Sequence, residues 1–309
     1  GLAIPVSNPM PLPDQLKLAR EAEARGYDTV WINEINSTDA VTAMAFLASH
    51  TERVRIASGI IPVQTRTPVV LGMTAASLGS LAPGRIGMGL GVSSRIIIGQ
   101  WHGIPFEKPM ARLREAVTII RRILAGERVS FEGEFYRLKN FRLAVSPPSQ
   151  PIPIYLAALG PKMLELAGEI ADGVLLNFIP PAAIPRAIGH LEIGARRAGR
   201  SLDGFDIAGF IRVSVGDDVE AARQWLAREL TGYAIVDSYS RFFTACGFGD
   251  EMETVSRCWQ AGDRAGAVSG ISPRFLDALG IVGPAGFCRQ RIKDYVSAGL
   301  TQPVVLPFT

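Results

Sequence analysis

The stretch Pro151–Asn177, PIPIYLAALGPKMLELAGEIADGVLLN, reads as strand, tight turn, helix and strand in quick succession. Ile152–Ala157 is an apolar run with β-branched and aromatic members, fit for a strand buried on both faces. Ala158-Leu159-Gly160 forms a turn with little side-chain bulk, and Pro161 suits the first helical position. Met163, Leu166, Ala167 and Ile170 then repeat at helical spacing, and Gly173 releases the chain into Val174–Leu176. A βαβ unit of this kind belongs to a parallel sheet covered by helices. Its turn leaves backbone N–H groups bare at a helix N-terminus, where orphan donors and the helix dipole together favour an anion, usually a phosphate. The alternative is a close-packed turn with nothing bound.

Strands and helices alternate along the rest of the chain as well. Strands are expected at Leu2–Val6, Asp28–Ile32, Val54–Ile61, Arg85–Leu90, Ile152–Ala157, Val174–Asn177, Phe205–Val213 and Pro303–Leu306. Helices are expected at Asp14–Arg25, Asp39–Ser49 with Asp39 as its cap, Pro68–Leu81, Lys108–Ala125 and Pro284–Ala298. Val129–Leu143 reads as a hairpin turning at Glu132-Gly133, and residues 218–280 read as helical and irregular, too long for one connection. Eight βα repeats predict one (β/α)8 barrel domain over residues 1–309.

Charge is nearly balanced, 32 Lys+Arg against 29 Asp+Glu, which calls for neither a nucleic-acid nor a membrane partner. No run reaches the roughly 18 apolar residues of a spanning helix, and no signal peptide is expected ahead of the first strand. Cys246, Cys258 and Cys288 form no CxxC pair and no even framework, which fits a reducing cytoplasm. His50, His102 and His190 are too scattered for a metal cluster, so no metal is expected. The lysines lie at no predicted strand end, which disfavours a Schiff-base aldolase. The absence of His-x-His after strand one disfavours a metal-dependent hydrolase.

The βαβ unit, TVWINEI, ERVRIASGIIPVQTRTP, GRIGMGLG, the WHGIPFEKPMARLRE run and AGLTQPVVLPF together resemble the luciferase-like flavin and deazaflavin oxidoreductases. The likeness covers essentially the whole chain and is strongest to the branch that uses coenzyme F420, which includes the methylene-tetrahydromethanopterin reductases. The resemblance implies a TIM barrel with insertions after strands four and seven, where this chain has its excess lengths. It also implies a homodimer formed through helices near strands two to four.

In a barrel of this kind function gathers at the C-terminal ends of the strands. The resemblance implies a non-proline cis peptide at Gly59-Ile60, a bulge behind the deazaflavin ring; a trans strand with a wide bulge is the alternative. Gly91, Ser93, Ser94 and the Ala157, Ala158, Leu159 and Gly160 backbone would hold the cofactor's ribityl chain and phosphate, with Asn177 donating to the same groups. Glu34 matches the acid that sugar-phosphate dehydrogenases of this family carry after strand two, and is read as a general acid, a cofactor contact or a rim ion pair. The histidine that follows that acid is replaced by Ile35, and the acid that the methanopterin reductases carry in strand one is absent from Gly1-Leu2-Ala3-Ile4. His102 lies in Gly99-Gln100-Trp101-His102-Gly103, and histidine as a residue type is a natural proton donor because an imidazole ordinarily titrates near neutrality; the alternative is a structural histidine beside Trp101. Lys108, Lys162 and Arg66 are candidates for an anionic cofactor tail, or solvated charges.

The leading expectation is an F420-dependent oxidoreductase moving a hydride between the deazaflavin and a small organic substrate. The alternatives are an FMN-dependent monooxygenase using reduced flavin and oxygen, and a non-catalytic flavin- or deazaflavin-binding protein.

Overall fold

The computed structural model describes residues 1–5 and 9–308. Eight parallel strands form the barrel: β1 Leu2–Ala3, β2 Thr29–Ile32, β3 Arg55–Ser58, β4 Ile86–Gly91, β5 Ile154–Ala157, β6 Gly173–Asn177, β7 Asp206–Val215 and β8 Gln302–Pro307. Each pairs with the next, and β8 returns to β1 through Val305 opposite Leu2, closing the sheet. The end of the first expected strand, Val6, lies outside the described residues.

Helices wrap the barrel: α1 Leu12–Ala24, α2 Ala40–Ser49, α3 Pro68–Leu81, α4 Pro109–Leu124, α5 Pro161–Ile170 and α6 Ile184–Arg197. Beyond β7 come α7 Val219–Ala234, α8 Asp237–Ala245, α9 Gly249–Gln260, α10 Arg264–Ser269 and α11 Pro273–Leu279; α12 Ala285–Ser297 leads into β8. Asp39 caps α2 as expected, accepting from the Val41 and Thr42 amides. The sequence reading names no helix between strands six and seven, where α6 lies. It also overlooks Gly280–Gly283, an extra parallel strand that extends the sheet beside Arg212–Val215 of β7. After β4, a π-helical segment Ile96–Trp101 leads towards α4, and the hairpin Val129–Glu132/Arg137–Phe141 follows α4. That hairpin packs on the outside of α4 through Val129 and Phe131.

Strand three is not continuous to Ile61. The Gly59-Ile60 peptide is cis. Ala57 lies opposite Gly87 and Ile61 opposite Leu90, so β3 and its continuation carry one residue more than β4, which is a bulge. Ser58 bridges the gap: its hydroxyl donates to the Gly89 carbonyl and accepts from the Gly89 amide, both at 2.9 Å. Buried backbone groups released by the bulge are thereby satisfied.

Side chains alternate between the barrel interior and the helical layer. Trp31, Tyr155, Leu175, Phe210 and Leu306 face inward, while Ile56, Leu156, Val174 and Ile211 face the helices. Helices α7–α11 bury a core of their own, which reaches the barrel through Phe178 and Phe308. Among the described residues no helix is long and apolar enough to cross a membrane.

Candidate active site

Below its mouth the barrel is filled. Trp31 meets Tyr155 edge-on with ring centroids 5.0 Å apart, and Phe210 at 6.2 Å. The inward positions directly above this plug on β3, β4 and β5 are small: Gly59, Gly91 and Ala157. A Cβ built on Gly59 would lie 2.7 Å from Phe210 and 3.3 Å from Trp31; one on Gly91 would lie 2.9 Å from Ile60 and 3.3 Å from Ala157. Ile60, Gly91 and Ala157 therefore make a low floor at the C-terminal ends of adjacent strands.

Beside that floor, β5 turns through Ala158, Leu159 and Gly160 into α5. Gly160 is the N-cap, no side chain caps it, and a Cβ there would meet nothing within 4 Å. The helix start is open, as its sequence predicts, and its amides and dipole suit an anion. On the neighbouring strand end Ser93 takes a left-handed backbone at φ +55°, and Ser94 Oγ accepts from the Ile97 amide at 3.2 Å, keeping its own proton to donate. Lys162 at this helix start is exposed, whereas Lys108 is committed to Glu134.

Next around the mouth stand the polar ends of β6 and β7. Asn177 Nδ2 donates to Tyr239 Oη at 2.7 Å, and Arg212 Nη1 donates to Asn177 Oδ1. The Arg212 guanidinium, on a residue only 2% exposed, also donates from Nη2 to Glu229 Oε1 at 3.0 Å and lies 3.7 Å from the Phe178 ring centroid. Burial would lower the Arg212 pKa, but the Glu229 carboxylate and the Tyr233 and Tyr239 phenols beside it together raise it. Burial pushes the Tyr233 and Tyr239 phenols up.

At the ends of β2 and β3 a cavity of about 360 Å³ is lined by Glu34, Ser37, Thr38, Arg66, Ile97 and His102 among others. Glu34 is held there by both arms of Arg66, Nη1 to Oε1 at 2.6 Å and Nη2 to Oε2 at 2.9 Å, and by the Ala40 amide at 2.9 Å. Arg66 reaches Asp39 as well, at 2.9 Å. The hydrogen bond that Arg66 donates to Glu34 is the main reason the Arg66 pKa is raised. His102 follows the π-helical segment and is exposed to this cavity.

The sequence matches the profile of the luciferase-like monooxygenase family over residues 3–302. The chain belongs to that family. Among its relatives, the 5,10-methylenetetrahydromethanopterin reductase of Archaeoglobus fulgidus is 30% identical over 289 residues, covering 92% of this chain and 86% of that one. The coenzyme F420-dependent tetrahydromethanopterin reductase of Methanopyrus kandleri superposes with a TM-score of 0.84 at 26% identity, covering 99% of this chain and 92% of that one. An F420-dependent secondary alcohol dehydrogenase in complex with an F420-acetone adduct shares the fold, with a TM-score of 0.79 at 21% identity, covering 96% of this chain and 90% of that one.

In this luciferase-like barrel the sequence candidates fall into three groups. Gly59, Ile60, Gly91 and Ala157 meet at the floor; Ser93, Ser94 and Ala158–Gly160 rim it; Glu34 and His102 share the cavity at β2 and β3. Asn177 is set apart from these by its partners, Arg212 and Tyr239. Arg212, Glu229 and Tyr239 are not among the sequence candidates. The signal for Arg212 was present: it is the one charged residue within the strand run IAGFIRVSV. A charge inside an otherwise buried strand needs a partner.

Proposed function

We propose that this chain is a coenzyme F420-dependent oxidoreductase that transfers a hydride between the deazaflavin and a small organic substrate. The observation that carries this reading is the low floor of Ile60, Gly91 and Ala157 lying beside the uncapped start of α5. A floor without bulky side chains at Gly91 and Ala157 suits a planar ring, and the helix start offers donors to an anionic tail. The kinship with the F420-dependent reductases supports the choice of cofactor. When bound, the deazaflavin supplies the hydride chemistry.

The protein's own residues bind, orient and manage the proton. Ser93, Ser94 and the Ala158–Gly160 backbone hold the ribityl chain and phosphate, and Asn177 donates from the adjacent strand end. His102 delivers the proton that accompanies the hydride to a carbonyl or imine substrate in the adjoining cavity. Glu34, doubly bonded by Arg66, orients that cavity's wall; its carboxylate is a rim anchor and not the proton donor. The chain also forms a homodimer through α3, whose Val70, Met73 and Leu81 lie about 45–48% exposed on one side of the helix.

The test is to mix the protein with reduced F420 and a panel of carbonyls, imines and activated alkenes under anaerobic conditions. Oxidation of the cofactor that depends on one of these compounds is expected. Turnover only with reduced FMN and oxygen would make the protein a monooxygenase instead.

A further inference from the structure

Asn177 is presented to the mouth by a buried charge network that stability alone does not explain. An ion pair buried as deeply as Arg212–Glu229 is a poor stabiliser compared with apolar packing. Glu229 Oε2 is buried without a partner, which adds to its cost. The same guanidinium packs on Phe178, a bulky residue held in the left-handed region at φ +50°. Such a backbone persists only where its surroundings fix it, and it clusters at functional sites.

The chemistry of the network fixes one orientation of the Asn177 carboxamide. Arginine has donors and no acceptor, so the atom facing Arg212 must be Oδ1. Oδ1 is then occupied and Nδ2 points away. One Nδ2 proton goes to Tyr239; the Tyr233 hydroxyl stands beside the same amide, and the second proton is left to it or to a ligand that takes its place. Asn177 itself is only half-buried.

From this we infer that Arg212 is a positioning residue for the cofactor site. It turns Asn177 into a pure hydrogen-bond donor, matched to an oxygen-rich acceptor such as a phosphate or ribityl oxygen. Glu229 from α7 balances the Arg212 charge, and Tyr239 from α8 holds Nδ2. The insertion after β7 therefore sets a contact made at the end of β6. This inference rests on the F420 reading above.

The test is a set of F420 titrations, followed by fluorescence, on the intact protein and on three variants, with thermal midpoints measured alongside. The variants are Asn177→Ala, the charge-free pair Arg212→Met/Glu229→Leu, and the triple combination. The pair removes both charges together and so avoids stranding one of them, which would threaten folding. Asn177→Ala should weaken F420 about tenfold, the scale of one hydrogen bond to a charged group. Arg212→Met/Glu229→Leu should weaken it by a similar factor while melting near the wild type, and the triple variant should be no weaker than either. Multiplying losses in the triple variant, or unchanged affinity in Arg212→Met/Glu229→Leu, would overturn the positioning role. A wild-type protein that does not bind F420 would instead overturn the functional reading, and this inference with it.

Discussion

Three glycines on alternate positions of β4 show how single residues divide stability from binding. Gly87, Gly89 and Gly91 all face inward, yet their neighbours differ. A Cβ on Gly89 would run into the Ser58 carbonyl, a backbone atom at the bulge, whereas one on Gly91 meets side-chain atoms, Ile60 Cγ1 and Cδ1 at 2.9 Å and Ala157 Cβ at 3.3 Å. Gly89→Ala should therefore destabilise the protein by about 3 kcal/mol, the upper end of ordinary overpacking costs, measured by denaturant unfolding. Gly91→Ala should cost well under half of that, yet weaken F420 because Ile60 is pushed up into the floor. Equal stability losses for the two would contradict this division of roles. At His102 the expectation is kinetic: His102→Asn should lower kcat by about 10²-fold or more with F420 affinity unchanged, and equal turnover would end its candidacy. The open turn was legible in the sequence because Ala158-Leu159-Gly160 carries little side-chain bulk, whereas Gly59-Ile60 came from the family resemblance. Asn177's partners were not legible, since Glu229 and Tyr239 come from helices tens of residues further along, and only folding brings them to β6.

At the scale of elements, the insertion after β7 is a small helical unit with its own core, pinned by a buried carboxylate. Glu251 on α9 accepts from Ser272 Oγ at 2.6 Å and from Arg274 Nε and Nη2, both at 2.8 Å. Burial alone would raise its pKa, but the Ser272 and Arg274 hydrogen bonds outweigh it and hold the carboxyl below the ordinary value of 4.5. A depressed folded pKa contributes stability in full above the ordinary value and loses it as the pH falls through the folded one. Glu251→Gln should accordingly melt below the wild type at neutral pH, and the gap should narrow under acid, below about pH 4.5. A gap constant with pH would show that the charge contributes nothing. Helices α5 and α6 are joined differently, by backbone approach: a Cβ on Gly168 would strike the Leu191 carbonyl, and one on Gly194 the Glu165 carbonyl. The apolar period of α5 is legible in the sequence, whereas α6 is not among the expected helices, although Ile184, Ala187, Leu191 and Ala195 lie buried along one face of it. The Gly280–Gly283 strand is not among the expected strands either, because its two glycines and short length resemble a loop. Two-strand pairing at a sheet edge is a tertiary property that local periodicity does not carry.

For the whole molecule, eight parallel strands and their helices were readable because alternation along the chain permits few arrangements. Closure of the sheet was not readable from local pattern alone; it rests on pairing between β8 and β1, at opposite ends of the sequence. The exposed apolar side of α3 leads to an expectation at this scale. The protein should sediment at twice the mass of one chain, and Met73→Glu/Leu81→Glu should return it to a monomer; a monomeric wild type would remove α3 as an interface. The central claim, that the barrel mouth is built for a deazaflavin, is tested most directly by titrating the protein with F420 and, separately, with FMN while following fluorescence. Binding of F420 at micromolar concentration or tighter, with FMN much weaker, is the predicted result. Tight FMN binding with little affinity for F420 would contradict it.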